Sequence, residues 1–394
     1  MKIGLFISGR KTVFDTLQKQ IQTTDKVIWF HTASLGEYEQ GLPVLEALKK
    51  QYPSYKFVLT FFSPSGYEVK KDSGVADVIT YLPLDTKANV KRFLNLVHPE
   101  LVVFVKYEFW PNYLAELKKR AIHTISISTI FRPSQLFFKS YGGWMRKSLH
   151  AFQHIFVQDE TSKKLLESIN YTTVTNSGDT RFDRVLEILE RDNSLAFIEE
   201  FKNDQTCIVI GSSWPEDEVV FLPFINIANS DTKFVIAPHN IKSQEIQKLK
   251  NSITKKVVLF SEKEEYDNLS QFDVFIVDTI GILTKVYSYA DIAYVGGGMG
   301  NTGLHNTLEP AVFGIPVVIG KKYSGFKEAE DLVALGGILS IHSSESFTNT
   351  ITRLLQEKEF ASSTGFINNK HVHENGNAAK TIMNYLSQTN NFSK

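Results

Sequence analysis

Short apolar runs alternate with longer amphipathic segments along almost the whole chain. Runs at 27–31, 56–61, 78–82, 101–105, 124–128 and 154–158 are brief and bounded by turn residues, as strands buried in a parallel sheet are. Between them, 42–51, 87–97 and 113–120 carry apolar positions at helical spacing. The alternation predicts βαβ units. It breaks near 186–203, where the text becomes a charged helix, and resumes at 207–210, 234–237, 257–260, 274–277, 292–295, 317–319 and 338–341. The expected organisation is α/β: one doubly wound Rossmann-like domain over 1–190, a second over 204–375, and a C-terminal helix and tail over 376–394. Two such domains facing each other would leave a cleft at the carboxyl ends of their strands, where ligands of open α/β sheets bind. The chain opens on a basic, partly apolar segment with Lys2, Leu5, Phe6, Ile7, Arg10 and Lys11, and the polar stretch 390–394 is expected to fray.

One stretch organises the second half. Residues 291–320 read as strand, glycine-rich turn, helix, strand, with Gly296, Gly297, Gly298, Gly300 and Gly303 in the turn. Glycine lets backbone N–H groups approach a phosphate and accepts positive φ. A helix expected from about Thr307 would aim its N-terminus at an anion. Asn301, His305, Asn306 and Glu309 flank the turn, and Glu309 could accept from two ribose hydroxyls. A tight strand–helix turn without ligand is the plainer reading.

Composition narrows the class. The 394 residues have equal numbers of acidic and basic side chains, 43 each, so bulk attraction to nucleic acid is not indicated. The single cysteine, Cys207, lies in an apolar run, which leaves no disulfide framework and suits a reducing compartment. No apolar run approaches the roughly 18 residues of a membrane-spanning helix.

Several strand ends carry chemistry. Ser34-Leu-Gly36-Glu37 follows the first strand; Ser34 and Glu37 match a capping box, and Glu37 could equally take a proton from an attacking hydroxyl, with Gly36 clearing space. Glu108 follows another strand, beside Trp110 and before Pro111, where an acid also suits a helix start. Gly211-Ser212 opens the second half with a hydroxyl and N–H groups for a phosphate, Pro238-His239 ends the next strand, and Gly281 and Leu283 follow another. Arg181 could hold an acceptor phosphate as a planar fork. The segment 131–152 mixes aromatics with Arg132, Lys139, Arg146 and Lys147; it reads as an amphipathic surface helix or as an element facing a lipid or anionic acceptor. The acidic run Glu216-Asp217-Glu218 reads as a solvated helix face, and no pattern suggests a metal site.

The blocks WFHTASLGE (29–37), TFFSPSGYE (60–68), YLPLD (81–85), YEFWPN (107–112), GDTRFDR (178–184), DTIGIL (278–283) and GGGMGNTGLHNTLEP (296–310) resemble the 3-deoxy-D-manno-octulosonic acid (Kdo) transferases of lipopolysaccharide assembly. They occur in order across nearly the whole chain. The resemblance implies a GT-B fold and metal-independent, inverting transfer without cofactor, from CMP-Kdo to the lipid A precursor lipid IVA. That places the chain at the cytoplasmic face of a Gram-negative inner membrane, with no nucleic-acid partner. Carried over, Glu37 is the general base and Glu108 a supporting acid. Ser34, Gly36, Arg132 and Arg181 fall on the acceptor side. Ser212, Pro238, His239, Gly281, Leu283, Gly297, Gly300, Asn301, Gly303, Asn306 and Glu309 fall where the family holds CMP. The chain departs from the family pattern at His239, where arginine is usual, and at its start, where members carry a longer apolar anchor. A GT-B transferase or epimerase using UDP-sugars, and a nucleotide-binding scaffold without turnover, remain alternatives.

Overall fold

The computed structural model describes Phe6 and residues 9–389. Lys2, Leu5 and Ile7 of the basic opening segment, and the stretch 390–394 expected to fray, lie outside the described residues. The described chain forms two compact units, residues 1–184 with 375–394, and residues 185–374.

The first unit holds β1 (Val27–Thr32), β2 (Lys56–Phe61), β3 (Val78–Tyr81), β4 (Leu101–Val105), β5 (His123–Thr129), β6 (His154–Val157) and β7 (Val174–Asn176). These make one sheet in the order β3-β2-β1-β4-β5-β6-β7, and every pairing is parallel. β1, β4 and β5 are buried along their whole length; β1 and β4 accordingly read as nearly continuous apolar runs, whereas β5 buries Thr and Ser between its isoleucines. Trp29, Phe93, Phe104 and Tyr113 pack on one face of this sheet, and Phe30, Leu45, Phe57 and Val103 on the other. The final helix, Ala378–Thr389, belongs to this unit: Ile382 and Leu386 enter its core, and the carboxylate of Asp183 accepts from the N–H groups of Asn377, Ala378 and Ala379 at the helix start.

The second unit holds β8 (Thr206–Ser213), β9 (Thr232–Pro238), β10 (Val257–Leu259), β11 (Val274–Ile276), β12 (Ile292–Val295), β13 (Val317–Gly320) and β14 (Ile338–Ile341). Its parallel sheet runs β10-β11-β9-β8-β12-β13-β14. Both sheets are thus doubly wound. In each, the winding direction reverses at one place: between β1 and β4 in the first unit, between β8 and β12 in the second. At such a switch point the loops leaving neighbouring strands diverge and open a crevice at the carboxyl edge. The fold is of the GT-B type, with two Rossmann-like sheets.

Three local expectations need correction. The helix after the glycine turn is a single turn, Leu308–Ala311, too short to present much of a dipole. The charged region 186–203 is not one helix: Thr180–Leu189 ends, and Ala196–Lys202 begins after a turn. The segment 131–152 is not one amphipathic helix either. It contains a 3₁₀ turn, Leu136–Phe138, and a short helix, Gly143–Leu149. Phe131, Phe137 and Phe152 are buried, each in ring contact with Phe109.

Candidate active site

The switch point of the first unit is built from the ends of β1 and β4. The chain leaving β1 turns at Ala33 and Ser34 into the helix Leu35–Gln51. Ser34 caps that helix, its hydroxyl accepting from the Glu37 N–H at 3.4 Å, while the Glu37 carboxylate reaches back past the cap to the Ala33 N–H at 2.5 Å. Glu37 is therefore fixed in the first turn rather than left to swing. Burial pushes its carboxyl above the usual range, the charge of Glu108 adds to this, and the Ala33 N–H, His31 and Lys106 only partly offset it. A Cβ added at neighbouring Gly36 would meet nothing within 4 Å, so the space beside the first turn is open.

β4 ends at Lys106, whose φ of +70° is rare for a residue with a side chain. Its N–H still bonds the Ile127 carbonyl at 2.9 Å, so the turn is held by the sheet. The turn delivers Glu108 into the same crevice. Glu108 Oε2 accepts from Trp110 Nε1 at 2.6 Å and meets His31 Nε2 at 3.0 Å. His31, fully buried at the end of β1, bonds on its other side to Thr60 Oγ1 at 2.8 Å, and Trp29 Nε1 donates to that same hydroxyl at 2.8 Å.

The second switch point is made mostly of backbone. Near the end of β8, Ser212 adopts φ +54° at a register shift against β9, and the chain then enters the helix Pro215–Ile227. Asp217, three residues past Trp214, is fully buried and accepts from the Trp214 N–H at 2.9 Å, the Gly297 N–H at 2.8 Å and the Tyr294 hydroxyl at 2.7 Å. It ties the start of that helix to the glycine turn after β12. Gly297 needs to be glycine: its φ is +91°, and a Cβ there would lie 2.1 Å from the Gly303 carbonyl oxygen. The Trp214 ring stacks on His239 at 4.3 Å, and His239 lies 4.7 Å from His305. Trp214 Nε1 donates to His305 Nε2 at 3.1 Å, and burial followed by the neighbouring His239 lowers the pKa of His305.

Comparison with known proteins fits this architecture. Residues 9–184 match the family described as "3-Deoxy-D-manno-octulosonic-acid transferase (kdotransferase)". The 3-deoxy-D-manno-octulosonic acid transferase of Chlamydophila psittaci is 28% identical over 373 residues, covering 90% of this chain and 84% of that protein. The transferase of the same name from Aquifex aeolicus is 28% identical over 350 residues, covering 87% and 90%. The likeness to Kdo transferases thus extends over about nine tenths of the chain. Among solved structures, the UDP-GlcNAc 2-epimerase of Neisseria meningitidis bound to UDP-GlcNAc superposes with a TM-score of 0.64 at 18% identity, covering 92% of this chain and 100% of that one. Acinetobacter baumannii MurG gives 0.57 at 11%, covering 92% and 99%. At these identities the likeness is one of fold.

Against this family frame, the predicted residues fall into two groups. Ser34, Gly36, Glu37 and Glu108 gather at the first switch point. Ser212, Pro238, His239, Gly297 and Gly303 lie at the carboxyl edge of the second sheet, together with the loop of Gly281 and Leu283. Asn306 donates to Glu309 at 3.1 Å, and Asn301 accepts from Lys322 at 2.5 Å. Arg181 is tied by a 2.7 Å ion pair to Asp179, and Arg132 is exposed with its guanidinium 5.8 Å from the Tyr107 ring centre. The Glu216-Asp217-Glu218 reading is overturned at its centre: Asp217 is an internal anchor, not a solvated acid. The Gly297 N–H is also already engaged by Asp217, and the carboxylate of Glu216 lies over Gly300. Among the described residues no cluster of His, Cys, Asp and Glu could hold a metal ion, and no helix is long and apolar enough to cross a membrane. Sequence reasoning passed over His31, Lys106, Trp214 and Asp217. Asp217 did carry a signal, being an acid three residues past a strand end at a helix start; nothing in the pattern marked His31 as the partner of Glu108.

Proposed function

We propose that this protein transfers Kdo from CMP-Kdo to a lipid A precursor, lipid IVA, by a single inverting displacement. The observation that carries the reading is Glu37: a half-buried carboxylate with raised proton affinity, locked at a switch point beside a second carboxylate, in a chain similar to Kdo transferases. An acceptor hydroxyl is too weak an acid to ionise near neutral pH, so it needs a base in place. Glu37 takes the hydroxyl proton as the oxygen forms its bond to the anomeric carbon. The bond from that carbon to the phosphate oxygen breaks, and CMP leaves with the electron pair.

In this reading Ser34, Gly36, Arg132 and Arg181 serve the acceptor. The crevice of the second unit holds CMP, with Ser212, Pro238, His239, Gly281, Leu283, Gly300, Asn301, Gly303, Asn306 and Glu309 around it. Gly297 contributes through the shape of its turn. In this reading the first unit serves the acceptor and the second the donor, in line with the division expected at 1–190 and 204–375. The membrane enters through the first unit, where Tyr141 and Trp144 are 71% and 60% exposed alongside Leu136, Lys139, Arg146 and Lys147. Exposed aromatics among basic residues suit an anionic interface, here the cytoplasmic face of a Gram-negative inner membrane.

The test is to incubate the protein with CMP-Kdo and lipid IVA, weigh the lipid by mass spectrometry and follow CMP release. The expected result is a lipid heavier by whole Kdo units with equivalent free CMP. Turnover of a UDP-sugar instead, or CMP binding without release when both substrates are present, would overturn the reading.

A further inference from the structure

A buried histidine stands behind the crevice carboxylates without a task in the chemistry just described. His31 has no exposed surface, yet both ring nitrogens are engaged: Nδ1 with Thr60 Oγ1 at 2.8 Å and the Thr60 carbonyl at 3.1 Å, Nε2 with Glu108 Oε2 at 3.0 Å. Whichever Thr60 atom Nδ1 takes, Nε2 carries a hydrogen, because an ionised carboxylate only accepts. Trp29 Nε1 fixes the Thr60 hydroxyl from behind, and register fixes the rest, since His31 pairs with Thr60 on one side and Phe104 on the other in the sheet. The Phe104 ring packs against the imidazole edge-on at 5.7 Å. A chain of donors thus runs from Trp29 through Thr60 and His31 and terminates on Glu108.

We propose that His31 is a positioning residue for the Glu37 reaction: held by Thr60 and Trp29, it fixes the Glu108 carboxylate in place beside Glu37. The inference rests on the reading of Glu37 as base. Two N–H donors, Trp110 Nε1 and His31 Nε2, converge on one oxygen of Glu108 and set its orientation. Held there, Glu108 raises the proton affinity of Glu37. The charged groups that act on Glu37 are Glu108, His31 and Lys106, and Tyr107 lies within its field. His31 also bonds Glu108 directly.

The experiment compares the pH dependence of kcat/KM in the full chain for the wild type, His31→Phe, Glu108→Gln and the double variant. Glu108→Gln removes the neighbouring charge, so its acid limb moves to lower pH by about one unit, with a slope of one proton. His31→Phe leaves Glu108 held by Trp110 alone and free to swing away from Glu37. Its acid limb therefore moves the same way by a smaller amount, with kcat lowered about tenfold and donor KM unchanged. The double variant returns to the position of Glu108→Gln, because His31 acts through Glu108. An unmoved limb in His31→Phe would overturn the proposal. So would a double variant whose limb lies above that of Glu108→Gln, which would mean that His31 acts on Glu37 by its own charge. If His31→Phe does not fold, Thr60→Val removes the hydroxyl that orients the imidazole and is expected to shift the limb downward by a smaller amount; no shift there counts against the clamp. Titrating Glu37 directly by carbon-13 NMR separates the two readings: Glu37→Gln with full activity sinks the base assignment, whereas an unchanged Glu37 titration in His31→Phe sinks the clamp alone.

Discussion

At the β1–β4 switch point the polar groups are side chains, while at the β8–β12 switch point most are backbone. The first crevice sets Glu37 and Glu108 against each other and backs them with His31, Thr60, Trp29 and Trp110. The second is shaped by glycines whose conformation no other residue adopts easily, and its one buried carboxylate, Asp217, faces inward to hold the turn. The same winding has been turned to two ends. Side chains with tuned proton affinity suit acid–base chemistry. A rigid backbone cradle suits recognition of a leaving group that does not change its own protonation.

That contrast can be broken one unit at a time. The largest effect expected on stability is from Phe137→Ser, which removes a buried ring packed against Phe109 and Phe131 and should destabilise the first unit by about 4 kcal/mol. Nucleotide binding by protein that remains folded should be unaffected. Trp144→Ser, at an exposed position nearby, should leave the melting temperature unchanged and weaken binding to anionic vesicles. The expectation that the 131–152 segment faces a lipid is thereby narrowed, since Phe137 is buried and Trp144 exposed. Asp217→Asn should cost about 3 kcal/mol by leaving donors unmatched in a buried place, and should lower CMP affinity in calorimetry at least about tenfold without moving the acid limb of the pH profile.

A pH effect on stability should come from the first unit. Burial raises the Asp183 carboxyl to about 6 against three backbone N–H donors, whereas the unfolded chain titrates near about 4. The folded state then binds the proton more tightly. This contribution to stability is present below about pH 4 and is lost as pH rises through about 6. Denaturant titrations between those values should show the slope in the wild type and its loss in Asp183→Asn. The smallest expected effect is at Lys106, where replacement by glycine relieves the positive φ. Lys106→Gly should stabilise by about 1 kcal/mol while raising the acid limb, since a positive charge near Glu37 is gone.

The sequence carried the sheets well because parallel strands covered on both faces leave continuous apolar runs. β2, β4, β12 and β14 end where their runs end. β7 was invisible: three residues, one of them buried, give no periodicity. The quoted blocks located the crevices but concealed a division of labour. Asp85 accepts from the N–H groups of Asn112 and Tyr113 and caps the helix after Glu108; Asp278 holds Ser261; Asp179 holds Arg181. These acids maintain the loops around the crevices. A linear pattern does not separate such acids from one like Glu37, because the difference lies in which N–H each finds after folding.

The central claim is that Glu37 performs the proton transfer while the second unit grips the nucleotide independently. The most direct measurement pairs CMP calorimetry with single-turnover CMP release from CMP-Kdo and lipid IVA, on wild type and Glu37→Gln. The account predicts release slowed at least about a thousandfold with CMP affinity within about twofold of wild type. Release within about tenfold of wild type would contradict it.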